Sequence, residues 1–273
     1  MEEIKLNDFL RIPEEELSKY KLHLANFNGE TQPLDVFASS WDEWMGWNRW
    51  RGNRNDWNRE YIFSLIADYR RPNKYIFGGI FKVISREGEE YEIELSEQFR
   101  PLIGRLVVDF YRYQGLRGRA FCLEGYMDSF RLHEITQNPY SGEPFCGYEN
   151  IRLDFTALEV IVRNQKADWQ TALSHMKGIY LIADKSNGKQ YVGSAYGEGG
   201  VWSRWSQYVG SGHGGNDELV SIIQENGMDY ARRNFQFSLI EAIPMPTDND
   251  TVIRRESHWK DILLTRQYGY NNN

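Results

Sequence analysis

The sequence predicts an α+β protein of two domains, a β-rich N-terminal domain over residues 1–170 and a C-terminal domain over residues 171–273. Three observations carry that expectation. Runs rich in β-branched and aromatic residues at 61–66, 75–84 and 91–95 read as strands. Trp41, Trp44, Trp47 and Trp50 recur every third residue, which is helical spacing and not the alternation of a strand. Asn187-Gly188 sits between apolar runs at 178–183 and 189–193, and both of its residues tolerate the positive φ of a hairpin turn.

Taken in order, the chain opens with an acidic lead-in whose Pro13-Glu14-Glu15-Glu16 suits a first helical turn, because carboxylates favour the positive end of the helix dipole. The tryptophan-rich segment follows, read either as a core-facing helix or as a base-stacking platform beside arginines. After the three strands above, further strands are expected at 105–113 and 152–162, giving a mostly antiparallel sheet or small barrel. A helix from 164 or 167 to 175, with Asp168 as a candidate cap, would link the two domains. Beyond the hairpin, 201–209 reads as a helix on which Arg204 and Tyr208, four residues apart, share a face.

Composition narrows the class. With 273 residues, 41% of them hydrophobic and 15% aromatic, the chain can build a real core. No run approaches the roughly 18 apolar residues of a membrane span, and Met1-Glu2-Glu3 is unlike a secretory signal, so a soluble cytoplasmic protein without a membrane partner is expected. Cys122 and Cys146 lack paired spacing and read as reduced, structural cysteines. The net charge of -7 argues against binding nucleic acid through bulk charge. Local patches tell otherwise: Arg49, Arg51, Arg54, Arg59, Arg70, Arg71 and Lys74 oppose only Asp56, Glu60 and Asp68, and five arginines over 100–119 oppose only Asp109. No phosphate-binding GxxxxGK[ST] loop is present, and His23, His133 and His175 lack metal-ligand spacing.

The chemistry lies near the C-terminus. Gly178-Ile179-Tyr180 is followed by Tyr191-Val192-Gly193, then by Arg204, Tyr208, Glu256 and Asn271. Phenols, a guanidinium and a carboxylate are what phosphodiester hydrolysis uses to orient water, neutralise phosphate charge and hold a divalent metal. This ordered series resembles the GIY-YIG nuclease family, with Val192 in place of the usual isoleucine and a long interval from Gly193 to Arg204. The resemblance implies a small antiparallel sheet flanked by helices. It also implies that Tyr180 and Tyr191 position the water and scissile phosphate, that Arg204 stabilises charge, and that Tyr208 is the general base. Glu256 would ligate Mg2+, with Mn2+ as a substitute, and Asn271 would close the site, Asn272 and Asn273 being alternatives of register. His213, in the glycine-rich stretch 210–215, is a further candidate for contacting phosphate. The strand order and composition of the N-terminal domain resemble the PUA-like sensor domains.

The function expected is a magnesium-dependent endonuclease acting on double-stranded DNA, as a monomer or homo-oligomer, in restriction of foreign DNA. Its N-terminal domain would select a modified base or a short sequence, with Trp47, Trp50, Arg51, Arg54, Arg112, Arg117 and Arg119 as candidate DNA contacts. Alternatives are a repair, recombination or mobile-element nuclease acting on branched or nicked DNA, and a non-catalytic nucleic-acid binding module.

Overall fold

Pro13 fixes the backbone ahead of three successive glutamates, and a short helix forms there, α2 (Glu14–Leu17), after α1 (Leu6–Leu10). The computed structural model describes residues 3–113 and 116–272. The chain divides into two compact units at Tyr140/Ser141.

In the first unit, β1 (Tyr20–Ala25) leads to α3 (Pro33–Ser39) and α4 (Trp41–Arg49). Then come β2 (Tyr61–Ala67), β3 (Lys74–Ser85), β4 (Glu92–Leu95), β5 (Leu106–Asp109), β6 (Ala120–Cys122) and β7 (Arg131–Ile135). They form one seven-stranded sheet in the order β6-β1-β2-β3-β5-β7, with β4 also on β3. The expected antiparallel character holds for every pair except β1 and β2, which run parallel. Its end strands do not pair with each other, so the sheet is open and not a closed barrel. β5 ends sooner than expected, because residues 110–113 leave the sheet for a loop.

Both faces of this sheet are covered. Leu22, Leu24, Phe63, Leu65, Phe77 and Val108 fill one side; Ile62, Ile66, Ile76, Phe81, Trp44 and Trp57 fill the other. Ser40 caps α4 by accepting from Glu43 N, and the tryptophan stripe then turns Trp44 onto the sheet, where its Nε1 donates to Gly78 O at 2.9 Å. The two readings of the tryptophans divide by position. Trp44 and Trp57 are buried core, while Trp47 is partly exposed and Trp50 is 56% exposed.

His23 on β1 lies beneath α4, its ring parallel to that of Trp44 at 6.0 Å and its Nδ1 2.9 Å from Asn48 Oδ1. Burial, aided by the nearby Arg119 cation and only partly offset by the Asn48 bond, lowers its pKa from 6.5 to about 3. The folded ring is therefore neutral, and the unfolded chain takes up the proton first as pH falls. Stability is unaffected above pH 6.5 and declines from there toward pH 3. At about pH 5 the loss is on the order of 2 kcal/mol. Urea unfolding followed by tryptophan fluorescence should show the midpoint fall between about pH 7 and pH 5; a constant midpoint would contradict this account.

The second unit begins with β8 (Arg152–Asp154), α5 (Phe155–Arg163) and α6 (Ala167–Ser174). The strand expected at 152–162 is thus three residues of strand followed by a helix. Val160, Ile161 and Val162 favour strands locally, but Phe155, Leu158 and Ile161 recur at helical spacing and bury one face among Trp169, Leu173, Phe235 and Phe237. Because β8 and α5 pack in this unit, the division falls at 140 and not at 170. Asp168 does not cap α6: Lys166 occupies the cap position, and Asp168 Oδ2 accepts from Phe145 N at 2.8 Å. Cys122 and Cys146, expected to be structural, are both free and exposed.

β9 (Met176–Asp184) and β10 (Gln190–Ala195) form the expected hairpin, with Gly188 at φ 77. α7 (Gly200–Ser211), α8 (Asp217–Asn226), α9 (Met228–Asn234), β11 (Phe235–Pro244), α10 (Asn249–Ile262) and α11 (Thr265–Tyr268) complete the unit. The antiparallel sheet runs β10-β9-β11-β8. One face carries Tyr180, Ile182 and Tyr191 against Trp205 and Tyr208 of α7; the other carries Ile179 and Val192 against Val252 of α10.

Candidate active site

Alternation along the hairpin places Tyr180 opposite Gly193 and Tyr191 opposite Ile182, so both tyrosines face α7. Gly193 has to be glycine: a Cβ there would lie 2.4 Å from the Tyr180 hydroxyl oxygen, and the ring is fully buried with no room to yield. The ring centroids of Tyr180 and Tyr191 are 6.4 Å apart. From α7, Tyr208 brings its hydroxyl to 3.1 Å from that of Tyr180.

Arg204 joins them. Its Nε donates to the Tyr180 oxygen at 2.9 Å and one Nη to the Tyr208 oxygen at 3.4 Å, while the other Nη donates to Gly214 O at 2.7 Å and Gln207 Oε1 at 2.9 Å. The shared helix face expected from the i, i+4 spacing is the one realised. Gly214, at φ 55, lets the loop cross directly over Tyr208, where a Cβ would come within 2.6 Å of the ring. His213 precedes it in this loop; its Nδ1 accepts from Gly215 N at 3.0 Å and its backbone N donates to Ser211 Oγ at 3.3 Å.

Burial dominates the electrostatics. It pushes the Tyr180 and Tyr208 hydroxyls above their ordinary pKa despite the lowering effect of Arg204. Burial alone would lower that of Arg204, but the two phenols hold it above its ordinary value. Both tyrosines are therefore neutral near pH 7.

Glu256 approaches from the other face of the sheet. Its Oε2 accepts from Ser194 Oγ, and its Oε1 pairs with Lys260 Nζ at 2.7 Å, one helical turn along α10. The neighbouring Arg255 pairs instead with Glu241. Asn271 is buried, donating to Val192 O and accepting from Val192 N, both at 2.9 Å. It completes the outer edge of β10 as a neighbouring strand would. Three successive residues of β10 thus each receive one expected site residue: Val192 takes Asn271, Gly193 lies under Tyr180, and Ser194 holds Glu256. Asn272 instead donates to Glu218 on the surface, and Asn273 lies outside the described residues.

Ser194, Gln207, Gly214 and Lys260 belong to this site but were not singled out from sequence. Only Lys260, four residues after Glu256, left a readable signal. Among the described residues no three His, Cys, Asp or Glu side chains gather, so a metal would rest on Glu256. Each of its oxygens accepts one bond from Ser194 or Lys260, leaving a lone pair on each. One hard oxygen donor supplemented by waters and phosphate fits magnesium.

In the N-terminal unit, six of the seven candidate DNA contacts, Trp47, Trp50, Arg54, Arg112, Arg117 and Arg119, line one cleft of about 1110 Å3. Arg51 does not; it donates to Arg86 O and Gly88 O. Arg119 stands between Trp50 and Trp57 at 4.3 and 4.8 Å from their rings, and it donates to Asp56, Trp47 O and Trp50 O. These contacts brace the two tryptophan rings and the backbone at Trp47 and Trp50.

Residues 176–271 match the family model described as the GIY-YIG catalytic domain. A mutant of the catalytic domain of intron endonuclease I-TevI is 30% identical over 36% of this chain and 94% of that one, with a TM-score of 0.28. The catalytic domain of homing endonuclease I-TevI is 31% identical over 36% of this chain and 98% of that one, also at 0.28. No curated protein matches the chain, and the matches give no support to a PUA-like N-terminal domain. With its motif tyrosines, helix-borne arginine and helix-borne glutamate all within the matched residues, this chain belongs to the GIY-YIG family.

Proposed function

We propose that the chain is a divalent-metal-dependent DNA endonuclease that restricts foreign DNA, its N-terminal unit selecting a modified base or a short sequence. The observation that carries this reading is Arg204 bridging two buried phenols, beside the strand that holds Glu256, within the residues that match the GIY-YIG catalytic domain.

The residues divide the work as follows. The Arg204 bond to the exposed Gln207 is the one most readily exchanged for a phosphate oxygen, and the guanidinium then neutralises charge as it develops. Tyr180 and Tyr208 share one hydrogen bond, so one of their two O–H groups remains to orient an incoming oxygen. Glu256 would hold the metal, with Mg2+ preferred and Mn2+ as a substitute. When bound, the metal supplies Lewis-acid charge neutralisation and a more acidic water. Tyr208 is the general base. Since burial raises its pKa, the cleavage rate is expected to increase with pH through the neutral and alkaline range, and Tyr208→Phe to flatten that profile. A profile that is already flat in the unaltered protein would remove Tyr208 from this role.

One such site cuts one strand per event, so a double-strand break takes either a second copy of the chain or sequential nicking. No helix among the described residues is long and apolar enough to cross a membrane. The two exposed free thiols suit the reducing cytoplasm, where we place the enzyme.

The test is magnesium-dependent cleavage of matched duplexes that are unmodified, cytosine-methylated, hydroxymethylated or glucosylated. Glu256→Gln serves as control, because it removes the charge while retaining partners for Ser194 and Lys260. Cutting confined to modified DNA is expected for a modification reader, and discrete cutting of unmodified DNA for a sequence reader. No cutting of any of them with either metal, or cutting unchanged in Glu256→Gln, would overturn the proposal.

A further inference from the structure

The N-terminal cleft has a polar floor that the tryptophan and arginine pattern did not reveal. His23 lines it, although the residue is only 1% exposed. The surrounding bonds determine its tautomer. Asn48 Nδ2 donates to Trp44 O at 2.9 Å, which fixes Oδ1 as the acceptor. Ser64 Oγ donates to that same oxygen, so His23 Nδ1, 2.9 Å from Oδ1 and 3.3 Å from Ser64 Oγ, carries the proton. Its Nε2 is then a bare acceptor, and it has no partner among the described residues. This nitrogen is not among the enclosed unpaired atoms and so meets solvent in the cleft, where a ligand N–H would replace water on it.

The walls and mouth narrow the choice of ligand. Trp47 and the half-exposed Trp50 offer aromatic faces, and Trp50 is held in place by Arg119 against its ring and backbone. Arg112 donates to Leu116 O and Gly118 O and so fixes the stretch that carries Arg117. The side chains of Arg54 and Arg117 have no hydrogen-bond or ion-pair partner among the described residues, whereas Asp56, the one carboxylate lining the cleft, is paired with Arg119. The unpaired charge at the mouth is therefore positive. A volume of about 1110 Å3 exceeds what a bare base needs and leaves room for its sugar and phosphate.

We infer that this cleft binds a single unpaired nucleotide. The base stacks on Trp47 and Trp50, an N–H of its Watson–Crick edge donates to His23 Nε2, and its phosphates meet Arg54 and Arg117. This deepens the recognition role proposed above for the N-terminal unit and rests on that role. It names the reading group as an acceptor, which favours a base edge that carries a donor.

Binding of a fluorescently labelled duplex with one unpaired nucleotide to the full chain in EDTA, read by anisotropy, tests this without requiring hydrolysis. Three pairs of unpaired base are compared: adenine with purine, cytosine with 2-pyrimidinone, and thymine with N3-methylthymine, the second of each pair lacking the N–H. At least one natural base is expected to bind about tenfold more tightly than its partner and than an abasic site. Trp50→Ala, at an exposed position that leaves the core intact, should remove about tenfold in affinity, and Arg54→Ala with Arg117→Ala should lessen the salt dependence. Equal binding of every parent base and its analogue, or of the abasic and unpaired duplexes, would overturn the inference, as would an unaffected Trp50→Ala. Because cleavage in magnesium is measured separately, such a failure alongside intact cutting refutes the pocket alone.

Discussion

Arg204→Lys is expected to lower the single-turnover rate of DNA cleavage by about 10²–10³, the usual consequence of removing one preorganised donor from a developing oxyanion. Lysine keeps the positive charge but offers one ammonium where arginine offers a planar fork. The present guanidinium donates at once to the Tyr180 oxygen, the Tyr208 oxygen and Gly214 O, and no single ammonium reproduces those directions. The variant thus separates geometry from charge. Thermal unfolding measured in parallel detects any loss of fold, since the two phenols lose a buried partner. A folded Arg204→Lys protein that cleaves at nearly the original rate would show that charge alone suffices. Arg204→Ala should be slower still, because it also removes the charge that opposes the phosphate.

Asn271→Ala is expected to destabilise the C-terminal unit by about 3 kcal/mol, which is severe for a change so near the end of the sequence. The amide makes two hydrogen bonds to Val192, whose backbone is buried on the outer edge of β10. Alanine leaves both backbone groups unpaired, each at about 1–3 kcal/mol. Asn271→Asp provides the control: its carboxylate can still accept from Val192 N but places a negative charge against Val192 O, so it should be at least as destabilising near pH 7. Denaturant titration checks both variants. If Asn271→Ala lowered cleavage without lowering stability, the residue would have a chemical role that its bonds to Val192 do not account for.

Much of the C-terminal site is legible in the sequence, because its signals are local. Asn187-Gly188 required a hairpin, a period of two put Tyr180 and Tyr191 on one face, and a period of 3.6 put Arg204 and Tyr208 on another. What those signals do not contain is distance across the fold. That Glu256 is held by Ser194 and paired with Lys260, and that Asn271 acts as a surrogate strand, depends on which helix and which tail reach β10. In the N-terminal unit the same limit applied more strongly. The tryptophan spacing announced a helix but did not decide that Trp44 and Trp57 are core while Trp47 and Trp50 face a cleft. His23, isolated in sequence, becomes the floor of that cleft only when α4 folds over β1.

The one element read as the wrong type, 152–162, fails for a physical reason. The β-branched run Val160-Ile161-Val162 carries a local preference of a few tenths of a kcal/mol per residue, whereas burying one large apolar side chain contributes about 1.5–3 kcal/mol. Phe155, Leu158 and Ile161 obtain that burial together only as a helix against β11 and α7. By itself, then, the sequence determined the family, the hairpin, the arginine helix and which residues are candidates for the chemistry, all set by spacing along the chain. Tertiary structure decided where the units divide, which side chains remain buried and neutral, and which groups are left without a partner. Those are properties of packing, and packing joins residues that the sequence keeps far apart.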